Sequence, residues 1–275
     1  MLHQRHFVFA VISAKILRMK ISAVIIAGNE EKNIGDAIRS VEWADEVIVI
    51  DSESTDRTRE IAESLGARVI SRPWPGFSAQ KQFAVESASF DRILSIDADE
   101  RISTALRDEI QLLISGPEDQ IADGYRIPRL AFYMGRPIRH SGWYPGFQLR
   151  FFDRRKGRWK DVLIHESVKM DTGASVEKLT GDIIHYTIDD ALEHHRIIGE
   201  RYAPLAARQA FERGKRTSRL SVMFVGPVAF LTTFILKAGF LDGFAGFCIA
   251  RFAAHHAFLK QVCLWEMQNE ADKDA

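Results

Sequence analysis

The chain has 275 residues, of which 46% are hydrophobic and 27% are charged, a composition typical of a globular protein with a sizeable core. Lys plus Arg number 37 and Asp plus Glu number 37, and this zero net charge argues against a general nucleic-acid binder. The two cysteines, Cys248 and Cys263, match no zinc-binding or redox spacing, so we expect them to be small, buried, reduced side chains.

The first 18 residues contain an apolar segment flanked by basic residues, and no small-residue cleavage site follows it. The segment is too short to span a bilayer. Met19 opens the first regular pattern of the sequence. We therefore expect residues 1–18 to be an extension or a mis-assigned start that lies outside the compact fold.

From residue 21 onward, strand-like apolar runs alternate with helical patterns. The run 21–27 is continuously apolar and rich in β-branched side chains, which is typical of a strand buried on both faces. The predicted strands cover residues 21–27, 46–51, 67–71 and 92–100, and the predicted helices cover residues 29–43, 54–67, 78–88 and 103–114. This alternation predicts βαβ units, and hence a parallel sheet with helices on both faces.

Polar side chains follow three of the predicted strands. Asn29 and Glu30 lie just beyond the first strand, Asp51 ends the second, and Asp97 and Asp99 end the fourth. Because parallel strands bring their carboxyl ends to one edge, where such sheets bind ligands, we expect these side chains to converge. Two carboxylates one residue apart are suited to hold Mg²⁺ or Mn²⁺ while leaving positions open for phosphate oxygens. An ion held there would make a diphosphate a better leaving group.

After residue 120 the pattern changes. The chain becomes rich in aromatic residues, Arg, Gly and Pro, which predicts short strands and long loops beside the parallel sheet. Residues 181–188 form the last predicted strand, and from Asp189 onward the pattern is helical.

The segment Val222–Leu236 holds no charged residue. As a helix, it would span roughly 22 Å, which is short of a bilayer core of about 30 Å. Residues 194–219 just before it carry seven Lys or Arg and two acidic residues. A basic stretch that leads into an apolar helix suits the surface of an anionic membrane. The alternatives are a helix buried against the sheet domain and a true span that includes Lys237.

Four segments carry a resemblance by their order and spacing: SAVIIAGNEEKNI, VIVIDSESTDRT, GFSAQKQFAVESA and ILSIDADERI. They resemble the nucleotide-sugar-binding half of the family 2 inverting glycosyltransferases, which have the type-A glycosyltransferase fold. Residues 147–168 and 236–266 resemble more narrowly the bacterial subgroup of β-glucosyltransferases that build the lipopolysaccharide core.

The resemblance implies a fold and a division of the chain. The fold is α/β, a Rossmann-like nucleotide-diphospho-sugar transferase domain with a helical, membrane-associating C-terminal extension. The glycosyltransferase domain would cover residues 19–188, with a nucleotide-sugar half (19–115) and an acceptor half (116–188). A helical C-terminal region (189–275) would follow.

The resemblance also implies roles for individual residues. Asp51 matches the acid that contacts the uridine, and Asp97 matches the first acid of the Asp-x-Asp motif, near the ribose and the metal. Asp99 matches the metal ligand itself. Asn29 and Glu30 match a turn whose backbone shapes the base pocket.

An inverting transfer further needs a general base that takes the proton from the acceptor hydroxyl. Glu166, in the sequence IHES, matches a His-Glu motif of the subgroup and is our candidate, with His165 as a residue that would orient it. The alternatives are that Glu166 pairs with an arginine, or that Asp153 is the base. Lys81 lies where the family places polar groups near the nucleotide.

Aromatic and basic residues of the acceptor half have two interpretations each. Trp143, Tyr144 and Trp159 would either stack on sugar rings or fill the core of a loop-rich region. Arg150 and Arg158 would either bind the diphosphate or an acidic acceptor, or lie on a solvated strand edge.

Together these features predict a metal-dependent inverting glycosyltransferase that uses Mg²⁺ or Mn²⁺. It would move a hexose, with glucose as the first choice, from a UDP-sugar to a lipopolysaccharide-core or other lipid-linked acceptor. Its C-terminal helices would hold it, as a cytoplasmic protein, on the inner face of the cytoplasmic membrane. Two alternatives remain open: polyprenyl phosphate as the acceptor, and a non-catalytic membrane adaptor with a degenerate fold. A nucleotidyltransferase is disfavoured because the segment after the first strand is acidic rather than Gly-rich and basic.

Overall fold

A computed structural model describes residues 18–160 and 167–273, in which the strands form sheets of seven, four and two members. The N-terminal segment 1–17 and residues 161–166, which include His165 and Glu166, lie outside the described residues.

The strands are β1 (Ile21–Ala27), β2 (Glu46–Asp51), β3 (Arg68–Ser71), β4 (Arg92–Asp97), β5 (Glu100–Ile102), β6 (Gly124–Ile127), β7 (Arg129–Tyr133), β8 (Arg136–Pro137), β9 (Gln148–Asp153), β10 (Gly157–Trp159), β11 (Val168–Met170), β12 (Val176–Lys178) and β13 (Ile183–Ile188). The α-helices are α1 (Ile34–Val41), α2 (Thr58–Ser64), α3 (Phe77–Glu86), α4 (Thr104–Ile114), α5 (Ala191–Arg196), α6 (Ala203–Glu212), α7 (Arg219–Leu231) and α8 (Gly243–Ala271). Segments Ile197–Tyr202 and Thr232–Leu236 are π-helical, and Glu118–Gln120 and Gly239–Asp242 are 3₁₀-helical.

The main sheet has the strand order β12-β6-β9-β4-β1-β2-β3. Strands β4, β1, β2 and β3 run parallel, as the alternating sequence pattern predicts. Strand β9 lies antiparallel between β4 and β6, so its first residue lies near the carboxyl end of β4. The polypeptide that leads into β9 therefore approaches the edge where β1, β2 and β4 end.

Both faces of the main sheet are covered by helices. Along β1, Ala23 and Ile25 pack in one core with α1, α2 and α4, whereas Val24 and Ile26 pack in a second core with α3. Every position of the strand is therefore buried, and its one polar residue, Ser22, donates a hydrogen bond to Glu46 Oε2 at 2.7 Å. Each fully buried Val or Ile side chain stabilises the fold by about 1.5–3 kcal/mol.

The acidic segment after β4 differs from its prediction. The sequence pattern predicts one strand over residues 92–100, but β4 ends at Asp97 and a turn at residues 98–99 leads into the short strand β5. Strand β5 pairs with β13, and the order of this second sheet is β5-β13-β7-β8. The turn at residues 98–99 therefore connects β4 of the main sheet to β5 of the second sheet.

The C-terminal helices α7 and α8 form a hairpin, and α8 packs on the second sheet. Ala245 and Ile249 of α8 contact Tyr133 and Ile188 in one apolar cluster. The turn of the hairpin is tight, because a Cβ atom at Gly246 would overlap the carbonyl oxygen of Gly239. Both cysteines are free and partly buried rather than fully buried as expected.

Helix α7 and the hairpin turn expose many large apolar side chains. They are Leu220, Met223, Phe224, Val228, Leu231, Ile235, Leu236, Phe240, Leu241 and Phe244, and we call them the hairpin surface. Among the described helices, the segment Arg219–Leu236 is long and apolar enough to cross a membrane by length and composition, with a mean hydropathy of 1.8. Since 6% of it is buried, it is not a helix buried against the sheet domain.

Asp242 joins the hairpin turn to the loop that leads toward β9. Its carboxylate is 4% exposed and accepts hydrogen bonds from the backbone N–H groups of Arg139 and His140 and from the Ser141 hydroxyl, at 2.9–3.2 Å. The Ser141 N–H also donates to the carbonyl oxygen of Lys237, at 2.9 Å. The hairpin is thereby tied to the acceptor half of the predicted domain.

Candidate active site

A pocket of ≈ 520 Å³ opens at the carboxyl ends of β1, β2 and β4. It is lined by residues 26–30 at the end of β1, by Ser52 after β2, by Trp74 and Phe77, and by residues 97–99 after β4. Asn29, Glu30, Asp97 and Asp99 thus lie around one cavity, at the edge where the sequence predicts convergence.

The turn after β1 is fixed by the loop after β2. Asn29 has φ 56, a left-handed conformation that Asn adopts more readily than most residues. Its N–H donates to Ser54 Oγ at 2.8 Å, and its Oδ1 accepts from the Thr55 N–H at 2.8 Å. The Glu30 N–H donates to Thr58 Oγ1 at 2.7 Å. These bonds give the pocket a preformed wall.

Glu30 is the partly buried carboxylate of that wall. Burial raises the pKa of Glu30, the hydrogen bond from Asn33 lowers it, and the negative charges of Asp99 and Asp56 raise it further. The net pKa lies above its ordinary value. The pocket therefore accumulates negative charge at this end, which favours a cation there.

Asp51 lies beneath the pocket lining and is fully buried. Its carboxylate accepts hydrogen bonds from the Ser54 N–H and from Ser71 Oγ, both at 3.1 Å. Arg59 Nε lies 3.8 Å away. Asp51 therefore shapes the loop that presents Ser52 to the pocket, and its contact with a uridine stays a prediction.

Asp97 is neutralised from behind the pocket. Lys81 Nζ lies 2.9 Å from Asp97 Oδ1, and Arg150 Nη2 lies 2.9 Å from Asp97 Oδ2. Burial raises the pKa of Asp97, but the charges of Arg150 and Lys81 outweigh it and hold that pKa well below its ordinary value. The Trp159 ring lies under the same cations, 4.9 Å from Lys81 Nζ. Lys81 thus acts on the pocket through Asp97.

Glu100 is the third acidic residue of the segment, and it is fully buried. Its Oε1 lies 3.3 Å from Arg150 Nη2 and 3.3 Å from Arg129 Nη1, and its Oε2 accepts from the Asp97 N–H at 2.9 Å. Arg150 therefore bridges the fully buried Glu100 carboxylate and the partly exposed Asp97 carboxylate, a role that neither of its sequence interpretations contains. The Arg150–Glu100 pair fixes the turn that carries the other two acids.

Asp99 differs from both neighbours because it faces the open pocket, with its side chain 34% exposed. Its Oδ2 lies 3.2 Å from His185 Nε2, and Thr187 Oγ1 lies 2.8 Å from His185 Nδ1. His185 comes from β13, which the sequence predicts as a strand without marking this histidine. The β5–β13 pairing sets His185 opposite Glu100 in register, and nothing in the local sequence reveals that pairing.

The donor set at the rim fits a metal that binds together with a ligand. Within residues 18–160 and 167–273, no group of three His, Cys, Asp or Glu side chains is arranged to hold an ion. Asp99 and His185 nevertheless place one oxygen and one nitrogen donor side by side. The Asp97 oxygens, by contrast, are already paired with the side chains of Lys81 and Arg150. Mg²⁺ is usually held by one or two carboxylates and takes its other ligands from substrate phosphates and water, so Asp99 is the residue that matches this pattern.

An aromatic wall closes the side of the pocket formed by α3. Trp74 and Phe77 pack edge to face with centroids 4.7 Å apart, and both side chains are substantially exposed. The Arg201 guanidinium, from the π-helical segment before α6, lies 5.3 Å from the centre of the Phe77 ring. An exposed tryptophan between two prolines, at residues 73–75, is the sequence signal that marks this wall.

The structure also locates Asp153 and Trp143, two other candidates from the sequence. Asp153 lies opposite Arg92, at the far end of β4 from Asp97, and binds Arg155 at 2.6 Å, so it is too far along the strand to serve this pocket. Trp143 packs on Tyr133 in the apolar cluster beneath α8. The base assignment to Glu166 falls outside the described residues and stays a prediction.

The remaining aromatic candidates of the acceptor half are also bonded within the fold. The Tyr144 hydroxyl donates to Asp182 Oδ1 at 3.0 Å. Trp159 is 6% exposed and packs behind the pocket rather than on its surface.

Comparison with known proteins points to the same family as the four sequence segments. Residues 22–174 match the model of "Glycosyl transferase family 2". The chain is 31% identical over 258 residues to the lipopolysaccharide core biosynthesis glycosyltransferase LpsC of Rhizobium meliloti, covering 91% of this chain and 94% of that protein. It is 33% identical over 264 residues to an uncharacterized glycosyltransferase of Rickettsia bellii, covering 92% of this chain and 89% of that protein.

One of the solved structures that match the chain is the crystal structure of S. aureus TarS 1–349 in complex with UDP-GlcNAc. The TM-score is 0.45 at 16% identity, covering 93% of this chain and 92% of that one. The resemblance drawn from the four sequence segments is confirmed by the family match and by the similarity to LpsC. The chain belongs to glycosyltransferase family 2.

Proposed function

We propose that the chain is an inverting glycosyltransferase that moves a hexose from a UDP-sugar to a lipopolysaccharide-core or other lipid-linked acceptor. The observation that carries the proposal is the placement of Asp99 beside His185 at the rim of a pocket where three strands end. A pocket of ≈ 520 Å³ lies in the range of about 300–1,000 Å³ that small-molecule ligands occupy.

The nucleoside end of the donor would lie against the wall made by Asn29 and Glu30, above Asp51. The diphosphate would then extend toward Asp99, where a bound Mg²⁺ or Mn²⁺ would supply positive charge against the departing UDP. Asp99 and His185 would hold that ion. Lys81 and Arg150 keep Asp97 charged and immobile, so the carboxylate is already oriented when the donor arrives.

The reaction would be a single displacement at the anomeric carbon. The acceptor hydroxyl oxygen forms the new bond as the bond to the phosphate oxygen breaks, and UDP leaves with the electron pair. Glu166 would take the proton of the attacking hydroxyl, which is the work of a general base. Trp74 and Phe77 offer apolar faces on which a sugar ring would stack.

The acceptor class is supported by two independent features. The chain aligns over most of its length with a protein named for lipopolysaccharide core biosynthesis. The hairpin surface is large, apolar and exposed, and basic residues such as Arg213, Lys215 and Arg219 lie just before it. Such a surface suits the inner, anionic face of the cytoplasmic membrane, where lipid-linked acceptors are built.

Calorimetric titration of UDP tests the proposal directly. We expect UDP to bind in the presence of Mn²⁺, and excess chelator or the substitution Asp99→Asn to weaken binding by about tenfold or more. Asp108→Asn, an exposed aspartate on α4, is the matched control and should bind UDP as the unmodified chain does. A screen of UDP-sugars with lipopolysaccharide core and with polyprenyl phosphate would then identify both substrates.

If no nucleoside diphosphate bound in the presence of metal, the proposal would be wrong. The alternative of a non-catalytic membrane adaptor with a degenerate fold would then be favoured.

A further inference from the structure

A second cavity of ≈ 540 Å³ lies between α7 and α8, and we call it the hairpin groove. It is lined by apolar side chains that include Met223, Pro227, Phe230 and Phe258, with Arg251 and His255 among them. It shares no lining residue with the active-site pocket. Met223 and Leu231 belong to both the hairpin groove and the hairpin surface, so the groove opens onto that surface.

The two basic residues of the groove differ in their access to a ligand. Arg251 is exposed and forms no ion pair within residues 18–160 and 167–273. The Nε2 atom of His255 is buried and has no hydrogen-bond partner among the described residues. None of the described residues that line the groove is acidic. The exposed guanidinium of Arg251 therefore makes the groove complementary to an anionic oxygen ligand.

We propose that the hairpin groove binds one anionic glycerophospholipid of the bilayer. An acyl chain would lie along Pro227, Phe230 and Phe258, and the headgroup phosphate would contact Arg251. This inference rests on the proposed association of the hairpin surface with a membrane. A lipid fits better than a peptide because the groove combines apolar side chains with one exposed guanidinium, which match an acyl chain and a phosphate.

The volume and openness to the hairpin surface support the same occupant. A groove of ≈ 540 Å³ lies within the size range of small-molecule sites. A lipid would enter it sideways from the bilayer without leaving the apolar phase. The bound lipid would then hold the hairpin in a fixed orientation on an anionic membrane, which scattered surface charges do not achieve.

Short-chain lipids allow the site to be tested on the full chain without vesicles. Diheptanoyl phosphatidylglycerol, kept below its critical micelle concentration, is titrated into the protein by calorimetry. Diheptanoyl phosphatidylcholine and inorganic phosphate are titrated in the same way for comparison. We expect the phosphatidylglycerol to bind about tenfold more tightly than the phosphatidylcholine, and inorganic phosphate to bind too weakly to measure. Equal binding of the two lipids, or binding of phosphate to the same extent, would overturn the proposal.

Arg251→Gln removes the charge at the groove, and we expect about a tenfold loss of phosphatidylglycerol affinity. Arg208→Gln is the matched control, because Arg208 is exposed on α6, pairs with Glu212 and lies outside the groove. An Arg251→Gln chain that bound the lipid as tightly as the control would contradict the headgroup assignment.

Gly226→Ala tests the apolar part of the groove without straining the fold. A methyl group there would lie 3.5 Å from the Ala254 carbonyl oxygen and 3.9 Å from Phe258 Cβ, which is ordinary packing distance. Alanine also favours a helix over glycine, so thermal stability should be equal or higher. We expect lipid affinity to fall by about fivefold while stability does not fall. Unchanged affinity would place the acyl chain elsewhere.

Two parallel measurements separate this inference from the proposed function. Sedimentation with phosphatidylcholine/phosphatidylglycerol vesicles reports membrane association, and UDP titration with Mn²⁺ reports the donor site. If the chain binds vesicles and UDP but not the short-chain lipid, the groove proposal alone is wrong. If the lipid binds and UDP does not, the groove stands and the proposed catalytic function is wrong.

Discussion

The three acidic residues that follow β4 have different surroundings, and this difference assigns them different tasks. Asp97 and Glu100 are held by Lys81, Arg150 and Arg129. Asp99 faces the pocket beside a histidine. Like charges this close would raise one another's pKa, but the buried cations prevent this for Asp97. The cluster is therefore a rigid support that presents one accessible carboxylate.

Lys81→Met should destabilise the fold, because it leaves the Asp97 carboxylate with one of its two cationic partners. Removing one partner of a fully buried ion pair typically costs about 3–5 kcal/mol, and the loss here should be smaller because the Asp97 side chain is 24% exposed and keeps Arg150. Urea denaturation of Lys81→Met measures this loss. The control Lys156→Met removes a lysine that pairs with Asp123 at 2.7 Å while half exposed, and such a pair contributes about 0–1 kcal/mol. Equal losses in the two variants would show that the Asp97 network adds no stability.

Glu166→Gln should separate chemistry from donor binding. If Glu166 is the base, turnover should fall by about 10²–10⁴-fold, since an amide does not accept the hydroxyl proton. UDP affinity in the presence of Mn²⁺ should stay as it was. Glu118→Gln, at an exposed glutamate outside the pocket, is the control for the loss of one charge. Turnover that survives in Glu166→Gln would move the search for the base to another residue.

At the scale of elements, the sequence predicts what local patterns determine and misses what distant pairing determines. Strands β1 and β2 begin and end as their apolar runs predict, because each run is buried on both faces. Strand β5 has three residues, and its partner β13 lies about eighty residues further along the chain, so no local pattern identifies it. The same distance conceals His185, whereas Asn29, Asp97 and Asp99 follow directly from the ends of parallel strands.

The stability of the contact between His194 of α5 and Phe252 of α8 should depend on pH. His194 stacks on Phe252 at 4.0 Å, its Nδ1 lies 3.1 Å from the Tyr133 hydroxyl, and His255 is nearby. Burial, with a smaller effect from His255, lowers the pKa of His194 from 6.5 to about 4. The unfolded chain therefore takes up a proton below pH 6.5, while the folded chain does not until about pH 4.

Stability should consequently be lost as the pH falls from 6.5 to 4, by as much as about 3 kcal/mol. Thermal denaturation across this window measures the loss. His194→Gln should reduce the dependence, with a smaller part retained because burial also lowers the pKa of His256, whereas His195→Gln, at an exposed neighbour, should retain it in full. An unchanged slope in His194→Gln would show that another group titrates.

The bond between the hairpin turn and the loop before β9 should depend on the Asp242 carboxylate. Asp242→Asn keeps the shape but loses charge-assisted hydrogen bonds, so the fold should be destabilised by about 1.5–3 kcal/mol. Amide hydrogen exchange of residues 139–141 should become faster, while that of the main sheet stays slow. Asp272→Asn, at the opposite end of α8 and exposed, is the control and should leave the loop unchanged. Slow exchange of residues 139–141 in Asp242→Asn would contradict this role.

At the scale of the whole molecule, Asp242 connects the hairpin surface to the loop before β9, which approaches the edge of the sheet where the pocket lies. Membrane association should depend on both apolar area and positive charge, with each Lys or Arg near an anionic surface contributing about 1 kcal/mol. Phe244→Ser should weaken sedimentation with phosphatidylglycerol-containing vesicles by about tenfold, since Phe244 is 79% exposed at the hairpin turn. Leu112→Ser, which is 77% exposed on α4, should not. Equal effects would place the membrane contact elsewhere on the molecule.

The Asp242 connection has a consequence for the choice of acceptor. If the hairpin rests on the bilayer as proposed, its connection to the loop before β9 would set Asp99 at a constant height above the lipid headgroups. We therefore expect the enzyme to select an acceptor by the distance of its hydroxyl from the membrane as well as by its chemistry. A product one sugar longer would carry its new terminal hydroxyl beyond that height, so each acceptor would receive one residue.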